Sequence, residues 1–263
     1  MKNQDYLYLD HAASTPMRKS AMDKYIEAES YGYANSSGGH KLSRNSKNLL
    51  EDSREKIAEL LNAAQGEIVF TSGGTEADNW TIKSLFNSER PNDNLVTSNI
   101  EHEAVIASAE WVSSNGFHTK YAKSDKNGLV TKDEFLGQVD NDTKVASLMW
   151  GNNETGIIQP IKDIAREIKT INSSTLFHSD VVQGIISDNI DFHKNGIESA
   201  AVSAHKIGGP KGVGAMFINS NHKLPSFLHG GKQELERRAG TVDVPGIAAV
   251  SYTHLTLPTT YEV

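Results

Sequence analysis

Ser203-Ala204-His205-Lys206 stands behind the apolar run Ala200-Ala201-Val202 and ahead of Ile207-Gly208-Gly209-Pro210-Lys211-Gly212-Val213-Gly214. A lysine at such a place has the chemistry of a nucleophile. Desolvation disfavours its ammonium form, lowers its pKa and frees the amine to attack a carbonyl and form a Schiff base. Taken alone, the same residues describe a strand end with a snorkelling lysine. Four further polar clusters change the balance: Ser72-Gly73-Gly74-Thr75, His102, Asn153, and Asp180 with Gln183.

These clusters fall at the ends of expected strands. Extended runs are read at Glu67 to Thr71, Asn94 to Ser98, Phe117 to Ala122, Lys144 to Trp150, Thr175 to His178 and Ser199 to Ser203, from their apolar and β-branched content. Helices are read at Arg18 to Ser30, Lys47 to Ala63, from the turn at Ser72 to about Leu85, Glu103 to Ser114 and Lys132 to Val139. Another opens at Pro160, with Ile161, Ile164, Ala165, Ile168 and Ile171 on one face. The Gly/Ser/Asn-rich stretch from Tyr31 to Ser46 reads as a long loop. Strands alternating with helices predict an α/β fold with a mainly parallel sheet flanked by helices, whose ligands bind beyond the carboxyl ends of the strands.

A small phosphorylated aromatic aldehyde fits that set of ends. Lys206 would take the aldehyde, and the Gly73-Gly74-Thr75 helix start would offer unpaired N–H groups to the phosphate. Asp180 would face a ring nitrogen and keep it protonated, which makes the ring an electron sink. His102 could stack on the ring, while Asn153 and Gln183 could bond its phenolic oxygen. The cofactor so described is pyridoxal 5′-phosphate (PLP).

Composition sets the outer bounds. The 263 residues are 37% hydrophobic and 22% charged with a net charge of −7, which suits a soluble globular chain and gives no footprint for nucleic acid or an anionic membrane. No apolar run approaches a membrane span, and the first residues lack the apolar core of a signal peptide. The expected location is cytoplasmic. The chain has no cysteine, which removes disulfides, thiolate metal sites and any cysteine nucleophile from these residues. No metal-ligand spacing stands out among the histidines.

Six collinear blocks resemble the NifS/IscS-type cysteine desulfurases, in the class V aminotransferase group of fold-type I PLP enzymes. They are Tyr8 to Pro16, Phe70 to Asn79, Gly151 to Gly156, His178 to Gln183, Ser203 to Gly214 and Gly230 to Gly246. The resemblance implies that Lys206 is the PLP lysine and that Gly74, Thr75, Ser203 and His205 surround the phosphate. It implies that His102 stacks and serves as acid/base, and that Asn153, Asp180 and Gln183 contact the ring. Thr241 would reach the phosphate of the other subunit of a homodimer. Leu235-Glu236 departs from the pattern, standing where the family often has glycine.

By the same resemblance the intact enzyme converts L-cysteine to L-alanine. It passes the sulfur as a persulfide to an acceptor protein, a scaffold or thiolation enzyme, for iron–sulfur cluster or thio-cofactor synthesis. Other class V enzymes (an aminotransferase or selenocysteine lyase) and a non-catalytic PLP-fold binding protein share much of this framework. The family's nucleophilic cysteine and its carboxylate-binding arginine lie later than any residue assignable here, so the small C-terminal domain is expected to be missing and the fragment inactive. The stretch from Val250 to Thr259 leaves the family pattern and looks like a translated sequencing adapter. The expected division is therefore 1–16 as an N-terminal segment contributing to the small domain, 17–249 as the PLP-binding large domain, and 250–263 as a non-native tail.

Overall fold

Strands buried on both faces need helices on both sides, and that requirement orders the molecule. The computed structural model describes residues 7–86, 90–186 and 190–253; the remainder of the expected N-terminal segment and tail, 1–6 and 254–263, lies outside them. Its seven strands are β1 (Ile68–Thr71), β2 (Asn94–Ser98), β3 (His118–Ala122), β4 (Thr143–Ser147), β5 (Leu176–Asp180), β6 (Ser199–Ser203) and β7 (Gly214–Ile218). They take the order β1-β7-β6-β5-β4-β2-β3. β7 runs antiparallel to β1 and β6, while the other neighbours are parallel. The expected mainly parallel α/β sheet is present.

The helices are α1 (Lys19–Gly32), α2 (Lys41–Leu60), α3 (Gly74–Lys83), α4 (Glu103–Ser114), α5 (Lys132–Leu136), α6 (Ile161–Ile171), the short turn α7 (Gln233–Glu236) and α8 (Val244–Val250). On one face of the sheet, residues of α2, α5, α6 and α8 share a core with Phe70, Val96, Ala146, Phe177, Val202 and Phe217. On the other, Ala77 and Trp80 of α3 meet Val69, Ala201 and Met216, and Val105, Ala109 and Val112 of α4 meet Leu95 and Val145. The alternation of Phe217 with Met216 across β7 is the strand period made visible.

β4 and α5 end three residues before the expected Trp150 and Val139, and two elements differ more substantially from the sequence reading. α2 starts at Lys41 rather than Lys47, with the His40 ring accepting a hydrogen bond from the Ser43 N–H at 3.3 Å. Its first buried positions are Ser43 and Ser46, ahead of Leu50, Ser53 and Ile57. The inward stripe therefore begins with serines, which an apolar period cannot reveal. β7 was not anticipated at all, since its first residue ends a glycine-rich run. A Cβ at Gly214 would lie 2.5 Å from the Gly73 Cα and 2.6 Å from the Val202 carbonyl. Only glycine lets β7 run between β1 and β6 at that level, beside Gly73, whose φ of 153° is itself a glycine conformation.

The described part of the expected tail packs against the body. Ser251 and Thr253 are buried, and the Arg18 guanidinium donates to the Thr253 carbonyl at 2.8 Å. Among the described residues no helix is long and apolar enough to cross a membrane.

Candidate active site

At the carboxyl edge of the sheet lies a cavity of about 270 Å³. Nine of the ten residues expected at a cofactor site line it: Gly74, Thr75, His102, Asn153, Asp180, Gln183, Ser203, His205 and Lys206. They arrive from the ends of β1, β2, β4, β5 and β6. Thr241 does not join them; it is exposed and lines a second cavity, of about 120 Å³, with Glu234 and Arg238.

Each side chain is set by its own element. Gly74 and Thr75 form the first turn of α3, so unpaired backbone N–H groups face the cavity end. His102 caps α4, its Nδ1 accepting from the Ala104 N–H at 3.1 Å, which leaves Nε2 to carry the ring proton. Asn153 follows Asn152, whose Oδ1 accepts from the Glu154 and Thr155 N–H groups at 3.0 and 2.8 Å and folds that loop. Gln183 donates to the Ala12 carbonyl at 2.9 Å.

Lys206 donates to the carbonyls of Ala12 and Ala13, the latter at 2.9 Å. Ser14 and Thr15 of the same segment bond His205, the hydroxyl of Thr15 reaching its carbonyl at 2.7 Å. The N-terminal segment thus lies directly over the lysine. Burial lowers the Lys206 pKa, partly offset by the charges of Asp180 and Asp10. His205 is likewise lowered, by burial and then by the charges of Lys206 and Lys211.

Asp180 is buried at the floor, and its Oδ1 accepts from the Val182 N–H at 2.9 Å. Burial, and next the charge of Asp78, push its carboxyl well above the ordinary carboxylate range. A ring cation beside it would relieve that penalty. The donor set fits PLP: an amine for the aldehyde, a helix start with Thr75, Ser203 and His205 for a phosphate, a carboxylate for a protonated ring nitrogen, and amides for a phenolic oxygen.

Sequence reasoning passed over Ala13, Asp78, Met149 and Val182, which also line the cavity. Asp78 is the one with chemistry. It stands three residues after Thr75 on α3, so helical spacing alone turns it to the same side, and that was the available signal.

Residues 7–254 match the family described as Aminotransferase class-V. The chain is 40% identical over 245 residues to the cysteine desulfurase IscS of Methanosarcina thermophila, across 93% of this chain and 60% of that protein. It is 38% identical to the putative cysteine desulfurase IscS 1 of Bacillus subtilis (strain 168), again across 93% of this chain and 64% of that one. It therefore spans somewhat under two thirds of the length of these relatives. Among solved structures, one described as a NifS-like protein superposes with a TM-score of 0.91 at 36% identity, covering 94% of this chain and 68% of its own. Another, described as SspA in complex with cysteine, gives 0.89 at 33% identity, covering 94% and 72%. A homologue of IscS- and NifS-like cysteine desulfurases, the chain belongs to the class-V aminotransferase family.

Proposed function

We propose that the chain is the PLP-binding part of a cysteine desulfurase acting on L-cysteine. The observation that carries this reading is the convergence of Lys206, Asp180, Thr75 and His102 on one cavity. When bound there, PLP would supply an electron sink for negative charge at an amino-acid α-carbon. Lys206 would hold it by its aldehyde, and the α3 start with Thr75, Ser203 and His205 would hold its phosphate. Asp180 would anchor the ring nitrogen, Asn153 and Gln183 the phenolic oxygen, and His102 would lie over the ring and exchange a proton through Nε2. The burial that lowers the Lys206 pKa favours the free amine, the form that attacks an aldehyde.

With no cysteine in the chain, it has no thiolate of its own to receive sulfur, so alone it should release none from cysteine. The acceptor protein, and a homodimer in which Thr241 reaches the partner's phosphate, belong to the same reading. Absorbance of the purified chain with added PLP, before and after borohydride, tests it, followed by mass analysis of the Lys206 peptide. A visible-edge band that becomes a reduced adduct on Lys206, and is lost in Lys206→Ala, is the expected result. A folded chain that gives no adduct overturns it.

A further inference from the structure

Beneath the cavity, a set of buried polar groups has no part in the roles above. His178 and Asp180 are two residues apart on β5 and so project to the same side of the sheet, towards α3. Asp78 Oδ1 lies 3.0 Å from His178 Nε2, and His178 Nδ1 lies 3.2 Å from the Ser199 hydroxyl. Ser199 in turn meets the Thr81 hydroxyl at 2.8 Å. All four are buried. Among the described residues, His178 is the only hydrogen-bond partner of the Asp78 carboxyl.

Asp78 and Asp180 line one cavity, and the charge of Asp78 acts against ionisation of Asp180. Two unpaired carboxylates cannot both ionise in such a place. We infer that Asp78 and His178 are a positioning pair that holds one proton between them, leaving Asp180 as the single net carboxylate under the cofactor ring. The pair is neutral whether the proton sits on oxygen or on nitrogen. Burial acts against charge on both members, raising Asp78 and lowering His178. The other groups facing this floor are His102, whose charge favours ionised Asp180, Glu101, whose pKa burial raises to about 8, Lys206 from across the cavity, and the neutral hydroxyls of Ser199 and Thr81.

This inference rests on the cofactor reading for its consequence, and the denaturation part of its test does not. The wild-type chain, His178→Gln and the double variant Asp78→Asn/His178→Gln are compared from pH 5 to 8.5 for PLP affinity and urea denaturation. In His178→Gln, Asp78 loses its proton partner and keeps a raised pKa. Its contribution to stability is present at low pH and falls away as pH rises through that pKa. The single variant should lose tenfold or more in PLP affinity above pH 7, with a urea midpoint that declines with pH more steeply than wild type. Asn at position 78 should restore most of both. Equal behaviour of single and double variants, or a single variant like wild type, overturns the inference. If the single variant fails to fold while the double folds, the inference stands; if both fail, the pair is only packing and the inference falls. If wild type binds no PLP, the cofactor reading fails, and the denaturation comparison still decides the pair.

Discussion

Glu101, beside the candidate acid/base His102, is a carboxyl whose surroundings favour the neutral form. Its Oε1 accepts from the Ser98 hydroxyl at 2.8 Å and the Met149 N–H at 3.0 Å, tying the end of β2 to the segment after β4. Its Oε2 is buried with no partner among the described residues. Burial, aided by the charges of Asp180 and Asp78 and only partly opposed by those two hydrogen bonds, raises its pKa from 4.5 to about 8. A group raised in the fold contributes stability that is complete below its unfolded pKa and is lost as pH rises through the folded one. Wild-type stability should therefore decline from pH 5 to 8. Glu101→Gln, which keeps the acceptor and cannot ionise, should flatten that decline by roughly 2–4 kcal/mol. Denaturation midpoints at four pH values measure it, and parallel curves for the two chains would mean that Glu101 is ionised in the fold.

At the scale of elements, the segment around α7 shows a local rule broken and compensated. Glu234, Leu235 and Glu236 have φ of 45°, 60° and 63°, a region that costs non-glycine residues about 1–2 kcal/mol each. Arg54 of α2 holds the segment in place. It donates to both Glu234 oxygens at 2.8 Å, and Glu234 Oε2 also accepts from the Phe70 N–H at 2.7 Å. Arg238 forks onto Glu76 at 2.8 and 3.0 Å and so ties the same segment to the first turn of α3. Burial opposes the charge of Glu76, but Arg238 and Ser72 outweigh it and keep its pKa low. Glu234→Ala leaves the buried Arg54 guanidinium with only the half-exposed Glu51 and the Ile68 carbonyl as partners and should cost about 3 kcal/mol in urea denaturation. A loss under about 1 kcal/mol would mean the pair does not anchor the segment. Leu235→Gly should be neutral or stabilising by up to about 1 kcal/mol, against the usual penalty for glycine, because its left-handed backbone is then unstrained. The sequence marks this place only as a departure from a glycine pattern; the backbone angles give the departure its physical meaning.

The same contrast runs through the whole fold. β2, α4 and β6 have the bounds their residues predict, since each is a continuous apolar or periodic run between clear breakers. The start of α2 and all of β7 were hidden, one by a serine stripe and the other by a glycine that only the neighbouring strands explain. In the site, residues at strand ends were legible because strand ends are where such sheets bind. The spacing of Asp78 from Thr75 marks its side of α3, but its pairing with His178 was not legible, because the two are a hundred residues apart and only the packing of α3 on β5 brings them together.

For the whole molecule, the apolar surface left uncovered governs solution behaviour. Met22 and Ile26, one turn apart on α1, are 47% and 64% exposed, and Leu7 and Leu9 of the N-terminal segment are 83% and 77% exposed. Singly, exposed apolar residues are ordinary; adjacent ones on a helix form a patch that favours association. A net charge of −7 works against it by repulsion between copies. Where attraction wins, association should strengthen with salt, which screens the charge and leaves the apolar contact intact. Light scattering behind a sizing column should then show a mass above that of a dimer of the 28.7 kDa chain, increasing with concentration and salt. Met22→Glu with Ile26→Glu should abolish the excess, and the control pair Ser114→Glu with Asn115→Glu, of equal charge on exposed polar positions of α4 and its cap, should leave it. If both pairs act alike, charge rather than the α1 face controls association; if neither acts, another surface does.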